Sequence, residues 1–173
     1  MTRAVQPHII TDDSAFSGKI IGGSLAFSRS CNDYLYRTPT VSGNQKRWTW
    51  SAWVKCAASH NTQYLFTTDR YSGTNDGHVG IYLKTNGRIE TYLDSPSSNT
   101  YGDVNEFTVN DRTAWNHIVW RVDCNNSNHR IWVNGKEQDV SQDPVNYDYG
   151  MNRAGTAHGL ATAIWSTGNS ADM

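Results

Sequence analysis

The sequence predicts an all-β protein: one antiparallel β-sandwich preceded by an extended N-terminal arm. Three observations carry that prediction. The first is composition. Of 173 residues, 16 are Ser, 17 Thr and 16 Asn, and Leu numbers six against eleven Val and nine Ile. Hydroxyl, amide and β-branched side chains at this density suit strands and turns, and seven Trp with nine Tyr supply the apolar area of one core. The second is strict alternation of apolar and polar positions in several segments. The third is the return of turn signals every 8 to 15 residues, the rhythm of a sandwich or barrel. No window of about 12 residues shows the helical period with caps.

In chain order, Met1–Gly23 carries Pro7, Asp12, Asp13 and three glycines, with apolar doublets at Ile9–Ile10 and Ile20–Ile21. It sustains no period and reads as an arm that needs a surface to lie against, its own domain or a neighbouring subunit. Residues 24–173 are assigned to the sandwich. Arg47–Lys55 alternates, with Trp48, Trp50, Ala52 and Val54 on the more apolar, inward face. Gly80–Asp94 reads as a hairpin about Asn86–Gly87, a pair suited to the positive φ angles of a primed turn. Val79, Ile81 and Leu83 share a face before that turn, and Ile89, Thr91 and Leu93 share one after it.

Ala114–Asp123 alternates with bulk on both sides, which predicts a strand buried on much of both faces. Cys124–Asn128 is a turn, and Arg130–Gln138 a strand, the Asn134–Gly135 turn and the start of its partner. Trp115 and Trp132 are expected where the two sheets meet, and His117, in an apolar strand, is expected as a hydrogen-bonded core histidine.

Several function classes are excluded. Fifteen basic against sixteen acidic residues give a net charge of −1 with no basic run, which argues against nucleic-acid binding. No apolar run approaches the roughly 20 residues of a membrane helix, so no membrane insertion is expected, and the N-terminus lacks the apolar stretch of a secretory leader. Cys31, Cys56 and Cys124 show neither a disulfide framework nor zinc spacing. They read as reduced thiols of a protein made in a cytoplasm, the alternative being one opportunistic pair. Neither Gly-x-Ser-x-Gly nor His-Glu-x-x-His occurs, and no catalytic or cofactor-binding residue is assigned.

The most ligand-like segment is Thr68–His78. Asp69, Asn75 and Asp76 offer hard oxygen ligands, which makes calcium the candidate cofactor. The same Asn-Asp-Gly run suits a plain turn, the simpler reading. Tyr71 and His78 are candidate ligand contacts in this segment. Tyr101, Tyr147 and Tyr149 are further candidate exposed aromatics, the last two forming either a stacking platform or the cover of a subunit interface.

The pair AWNHIVWRVD (114–123) and RIWVNGKEQ (130–138) resembles the Trp-x-His and Val-Asn/Asp-Gly strands of laminin-G-like and pentraxin-like modules, members of the concanavalin A-like jelly-roll superfamily. NDYLYRTPTVSGN (32–44) followed by WTWSAWVK (48–55) looks like the opening of such modules in tailed-bacteriophage virion proteins. The resemblance covers about residues 24–165. It implies a jelly roll and a non-enzymatic structural protein of a phage particle, a capsid decoration protein or a fibre or tail appendage. Its partners would be other virion proteins and its own copies, with a trimer favoured, and its place the virion after synthesis in the host cytoplasm. The alternative is a carbohydrate-binding module for host-surface glycans.

Laminarinase-type glucanases of the same superfamily carry Glu-x-Asp-x-x-Glu on one strand, to set two carboxylates about 5–5.5 Å apart. Here Glu90, Glu106 and Glu137 have no acidic residue at the matching offsets. Such modules also close with one more glycine-turned strand, whereas this sequence runs out in the polar Ser166–Met173. The implied missing strand leaves a sheet edge, which the arm before Ser24 would fill unless the chain is a fragment.

Overall fold

The computed structural model describes residues 24–27, 33–55, 62–69, 77–95, 98–111 and 113–161, and within 98–106 the burial of Gly102 and Val104 alone. Internal contacts divide the chain into Met1–Tyr34 and Leu35–Met173, and the sandwich belongs to the second unit. Its strands are β1 (Leu35–Arg37), β2 (Arg47–Val54), β3 (Gln63–Thr68), β4 (Val79–Leu83), β5 (Arg88–Ser95), β6 (Ser98–Thr108), β7 (Asn116–Asp123), β8 (Asn128–Val133), β9 (Lys136–Gln138) and β10 (His158–Leu160). They form a six-stranded sheet in the order β1-β10-β3-β4-β5-β6 and a four-stranded sheet in the order β2-β7-β8-β9. Every ladder between neighbouring strands is antiparallel. The expected all-β sandwich is present; the expected arm lies outside the described residues.

Period 2 places the core. On β2, Trp48 is buried and Trp50, Ala52 and Val54 half-buried, while Arg47, Thr49, Ser51 and Trp53 face out. This strand runs in register against β7 from Arg47↔Asp123 to Val54↔Asn116. From the facing sheet, Val79, Ile81, Leu83, Ile89 and Leu93 meet Ile118, Trp120, Val122, Ile131 and Val133 in one apolar cluster. Apart from Arg88, β5 is buried on both faces, for Glu90, Tyr92 and Asp94 are covered as well as Ile89, Thr91 and Leu93.

The indoles at the centre are Trp48 and Trp120, edge to face with centroids 4.8 Å apart, an arrangement that contributes about 0.5–1.5 kcal/mol beyond burial. Trp115 and Trp132, expected at this place, are only half-buried. Trp132 alternates with the inward Ile131 and Val133, so register puts it on the outer face. The histidine expectation is corrected in the same way. His117 lies on the outer face, where its ring stacks on Trp53 at 4.9 Å and its Nε2 is 3.0 Å from Ser51 Oγ. A histidine that does enter between the sheets is His129, 2% exposed; its Nδ1 accepts the Trp120 indole N–H at 3.4 Å, and burial holds its pKa below the ordinary value.

The two Asn-Gly corners differ. Asn134 and Gly135 both have positive φ (52° and 81°) and join Val133 to Lys136 as a two-residue primed turn. At Asn86–Gly87 only the glycine has positive φ, 81°, and Gly87 N–H donates to Lys84 O. That corner is a type I turn with a glycine bulge rather than the primed turn anticipated. The Cys124–Asn128 turn contains one 3-10 turn, Cys124–Asn126. Cys124 is fully buried and free, and burial pushes its thiol up to about 12.

Gly102 on β6 packs directly against His129 of the facing sheet. A Cβ there would collide with Thr91 Oγ1 and lie 2.7 Å from His129 Cε1. Gly102→Ala should therefore cost about 1–3 kcal/mol, read as a lower denaturation midpoint at unchanged cooperativity. A variant as stable as the wild type would show that His129 has room to move.

Candidate functional site

The site is built where two loops meet at one end of the sandwich. The first, residues 39–46, leads into β2; the second, residues 145–157, leads into β10. Four hydrogen bonds pin them together: Gly43 N–H to Asn152 O (2.8 Å), Gly155 N–H to Pro39 O (2.9 Å), Asn152 Nδ2 to Asn44 O (2.9 Å) and Ala154 N–H to Ser42 Oγ (2.9 Å). Asn44 turns the first loop by accepting the Lys46 and Arg47 amides on its Oδ1 at 3.0 and 2.9 Å. Asn152 turns the second at a left-handed φ of 59°, which asparagine tolerates better than most residues.

Between the loops lies an open depression lined by Gln45, Lys46, Asn146, Tyr147, Asp148 and Arg153, of about 320 Å³, the small end of the range of ligand pockets. Lys46 Nζ is 3.7 Å from Asp148 Oδ1. Both are partly exposed, so the pair adds little stability, and the lining carries one net positive charge. The Gln45 side-chain oxygen is buried beneath the lining, with no hydrogen-bond partner among the described residues. Amides, two cations and one phenol ring give donors, acceptors and an apolar edge within one concavity.

The structure separates the sequence candidates. Tyr147 lines the depression. Tyr149 does not: it is 0% exposed, belongs to the core and meets the Tyr147 ring edge to face at 5.4 Å. Its hydroxyl donates to Val145 O at 3.4 Å, and burial pushes its pKa up. The exposed Tyr147–Tyr149 platform is therefore corrected to a rim tyrosine standing on a core tyrosine. His78, 1% exposed with its ring 5.1 Å from Tyr92, is likewise a buried side chain and not a surface contact.

Of the calcium candidates, Asp69 lies just after β3, half-buried, its N–H bonded to Ala157 O. Asn75 and Asp76, with Tyr71, fall outside the described residues, as does the side chain of Tyr101. No three His, Cys, Asp or Glu residues are grouped to hold a metal among the described residues. Gln45, Lys46, Asn146 and Arg153 were not singled out from the sequence. Polar loop residues carry no periodic signal; the only hint was the turn-forming Ser42–Gly43–Asn44 beside them.

The glutamates of β5 and β9 are committed elsewhere. Glu90, 7% exposed, accepts from the Tyr82 hydroxyl and from Lys84 Nζ. Its charge adds to burial in raising the Tyr64 phenol. Glu137 pairs with Arg130.

The family model of the concanavalin A-like lectin/glucanases superfamily matches residues 30–165. A search of curated proteins gives no match. Among solved structures, domains LG4-5 of the mouse laminin α1 chain are similar at 16% identity with a TM-score of 0.63, over 98% of this chain and 42% of that one. The CBM40 of Ruminococcus gnavus IT-sialidase, bound to α2,3-sialyllactose, is similar at 14% identity and a TM-score of 0.55, over 70% and 66%. The native heptameric SAP-like pentraxin of Limulus polyphemus is similar at 18% and 0.51, over 73% and 56%. The chain thus spans two thirds or less of the length of these relatives, and likeness at such identity is likeness of fold.

The contrast between the two tyrosines is measurable. Tyr149→Ala should cost about 3–5 kcal/mol, as for other buried aromatic truncations, and Tyr147→Ala about 1 kcal/mol, both read by denaturant titration. Equal losses would place Tyr147 in the core as well.

Proposed function

Because the chain belongs to the concanavalin A-like lectin/glucanases superfamily, we propose that it is a non-catalytic carbohydrate-binding module whose glycan seats in the depression between Lys46 and Arg153. The depression itself carries this reading. It joins the Tyr147 ring edge to the Gln45 and Asn146 amides and two cations, the combination a sugar needs for its apolar ring face and its hydroxyls. The excess positive charge suits a sugar that bears a carboxylate, and the sialyllactose held by the CBM40 module makes that trisaccharide the first probe. Against catalysis stand the occupied carboxylates, Glu90 on Tyr82 and Lys84 and Glu137 on Arg130, where a glycosidase needs an opposed pair free to exchange protons.

Calorimetric titration with α2,3-sialyllactose, α2,6-sialyllactose and lactose tests the proposal. We expect micromolar-to-millimolar binding that Tyr147→Ala and Arg153→Ala each weaken about tenfold, with the far-UV circular-dichroism spectrum unchanged. Silence on a broad glycan array, or full binding by both variants, would sink it.

One observation favours a second reading, a structural role on a tailed-phage particle. β1 is an outer strand of its sheet, and Leu35 (40% exposed), Tyr36 (66%) and nearby Val41 (79%) offer apolar surface for contact with other copies or other virion proteins. A virion decoration or fibre protein that also touches host glycans would satisfy both readings. Light scattering of the isolated chain should then show an oligomer, a trimer by family analogy, that Tyr36→Lys dissociates. A monomer at all concentrations would remove this reading and leave the glycan one untouched.

A further inference from the structure

His158 stands at the start of β10, directly after the turn that carries Arg153. Its ring is held at both nitrogens. Asn152 N–H donates to Nε2 at 2.9 Å, and Nδ1 lies 2.9 Å from Thr156 O. An amide N–H can only donate and a carbonyl can only accept. The ring is therefore neutral, with its hydrogen on Nδ1. Asn152 is also the residue through which this turn grips the opposite wall, since its carbonyl accepts the Gly43 amide and its Nδ2 donates to Asn44 O. One imidazole fixes the backbone of Asn152, and Asn152 fixes the span between Gln45–Lys46 and Arg153.

We infer that His158 is a positioning residue for the depression and an acid-sensitive one: a proton on Nε2 sets a second N–H against that of Asn152, frees the turn carrying Arg153 and lowers glycan affinity. The last step rests on the glycan reading; the clamp does not.

The surroundings agree in sign. Burial, and then the charge of Arg37, act against the protonated ring, the Thr156 carbonyl acts for it, and the net effect is a pKa below the ordinary 6.5. The unfolded chain thus takes up the proton first. The clamp's stability is whole above about pH 6.5 and is lost as pH falls from there through the folded value. Arg37 faces the ring from β1 as its cross-strand partner. Thr68 faces it from β3, with the Phe66 ring 6.0 Å away. Asp69 follows that strand, Arg153 lies in the turn itself, and Lys46 and Asp148 line the depression.

The test uses the full chain and two readouts. NMR follows the His158 ring and the exchange protection of the Asn152 amide downward from about pH 7.5 until the ring has titrated. We expect the two to change with one midpoint, while the Trp120 amide of β7 stays protected. In parallel the Kd for α2,3-sialyllactose should rise about tenfold over that interval, the loss of about one hydrogen bond. In His158→Gln the carboxamide can accept from Asn152 and donate to Thr156 without titrating, so its Kd should stay flat to within about twofold. An Asn152 amide indifferent to pH in the wild type, which needs no variant, overturns the clamp; so does a His158→Gln protein that keeps the wild-type pH profile. If the amide follows the ring but sialyllactose binds at neither pH, the glycan reading fails and the clamp stands.

Discussion

The sandwich depends on how the indole of Trp120 is held. A fully buried N–H must find an acceptor or cost about 1–3 kcal/mol. Here it finds Nδ1 of His129 one strand away. That bond keeps His129 neutral at the centre of the core, and the ring's far side then reaches the opposite sheet at Gly102, where no side chain fits. Trp48, Trp120, His129, Gly102 and Thr91 thus form one continuous path between the layers. The Thr91 hydroxyl closes it by donating to the Gly102 carbonyl at 3.2 Å. Packing at this density leaves the sheets one separation and one register. The loops at their ends inherit that fixed frame.

From the frame to the site is a short step in space but a long one in sequence. β10 is three residues long and lies between β1 and β3, so the 145–157 loop enters the six-stranded sheet through it. The 39–46 loop leaves that sheet after β1 and enters the other at β2. The depression therefore spans the seam between the layers, where relative motion of the sheets would be felt first. Rigidity there comes from polar bonds, because neither loop has a strand's ladder to lean on.

Legibility in the sequence followed the same division. β2, β4 and β5 carry alternations whose core positions were readable without coordinates, whereas β7 and β8 were readable as strands but not by face. β1 and β10 were readable in neither way, for three residues cannot display a period. β6 hid for another reason: Val104 and Phe107, the described apolar side chains it brings to the core, stand three positions apart across a register irregularity and so show no period of 2. Trp132 and His117 were misplaced because a strand with bulk on both sides does not say which side is inward. Only its partners decide, and β2 and β8 put Trp120 inside. At the site, Tyr147 was legible as an aromatic in a polar loop. Its neighbours Gln45 and Arg153 lie 108 residues apart, and nothing local joins them.

The abundance of asparagine also acquires a structural meaning. Read as composition, it accounts for solubility in a chain with 18% charged residues. In the structure the amides build corners. Asn44 gathers two backbone amides, and Asn86 accepts the Arg88 amide across its turn. Asn134 accepts the His117 amide while donating to Asn116, and Asn152 ties one loop to the next. Asn126 does the same for a charge: its bond to Asp123, ahead of that from Arg47, holds the aspartate's pKa below the usual carboxylate value. A neutral amide offers donor and acceptor together and is not screened by salt, whereas the exposed ion pairs of this surface are. Corners made this way keep their shape across ionic strengths. Of the described rings that buttress the loops of the depression, only the imidazole of His158 can change charge near neutrality, and this is why acid rather than salt should be able to change the shape of the site.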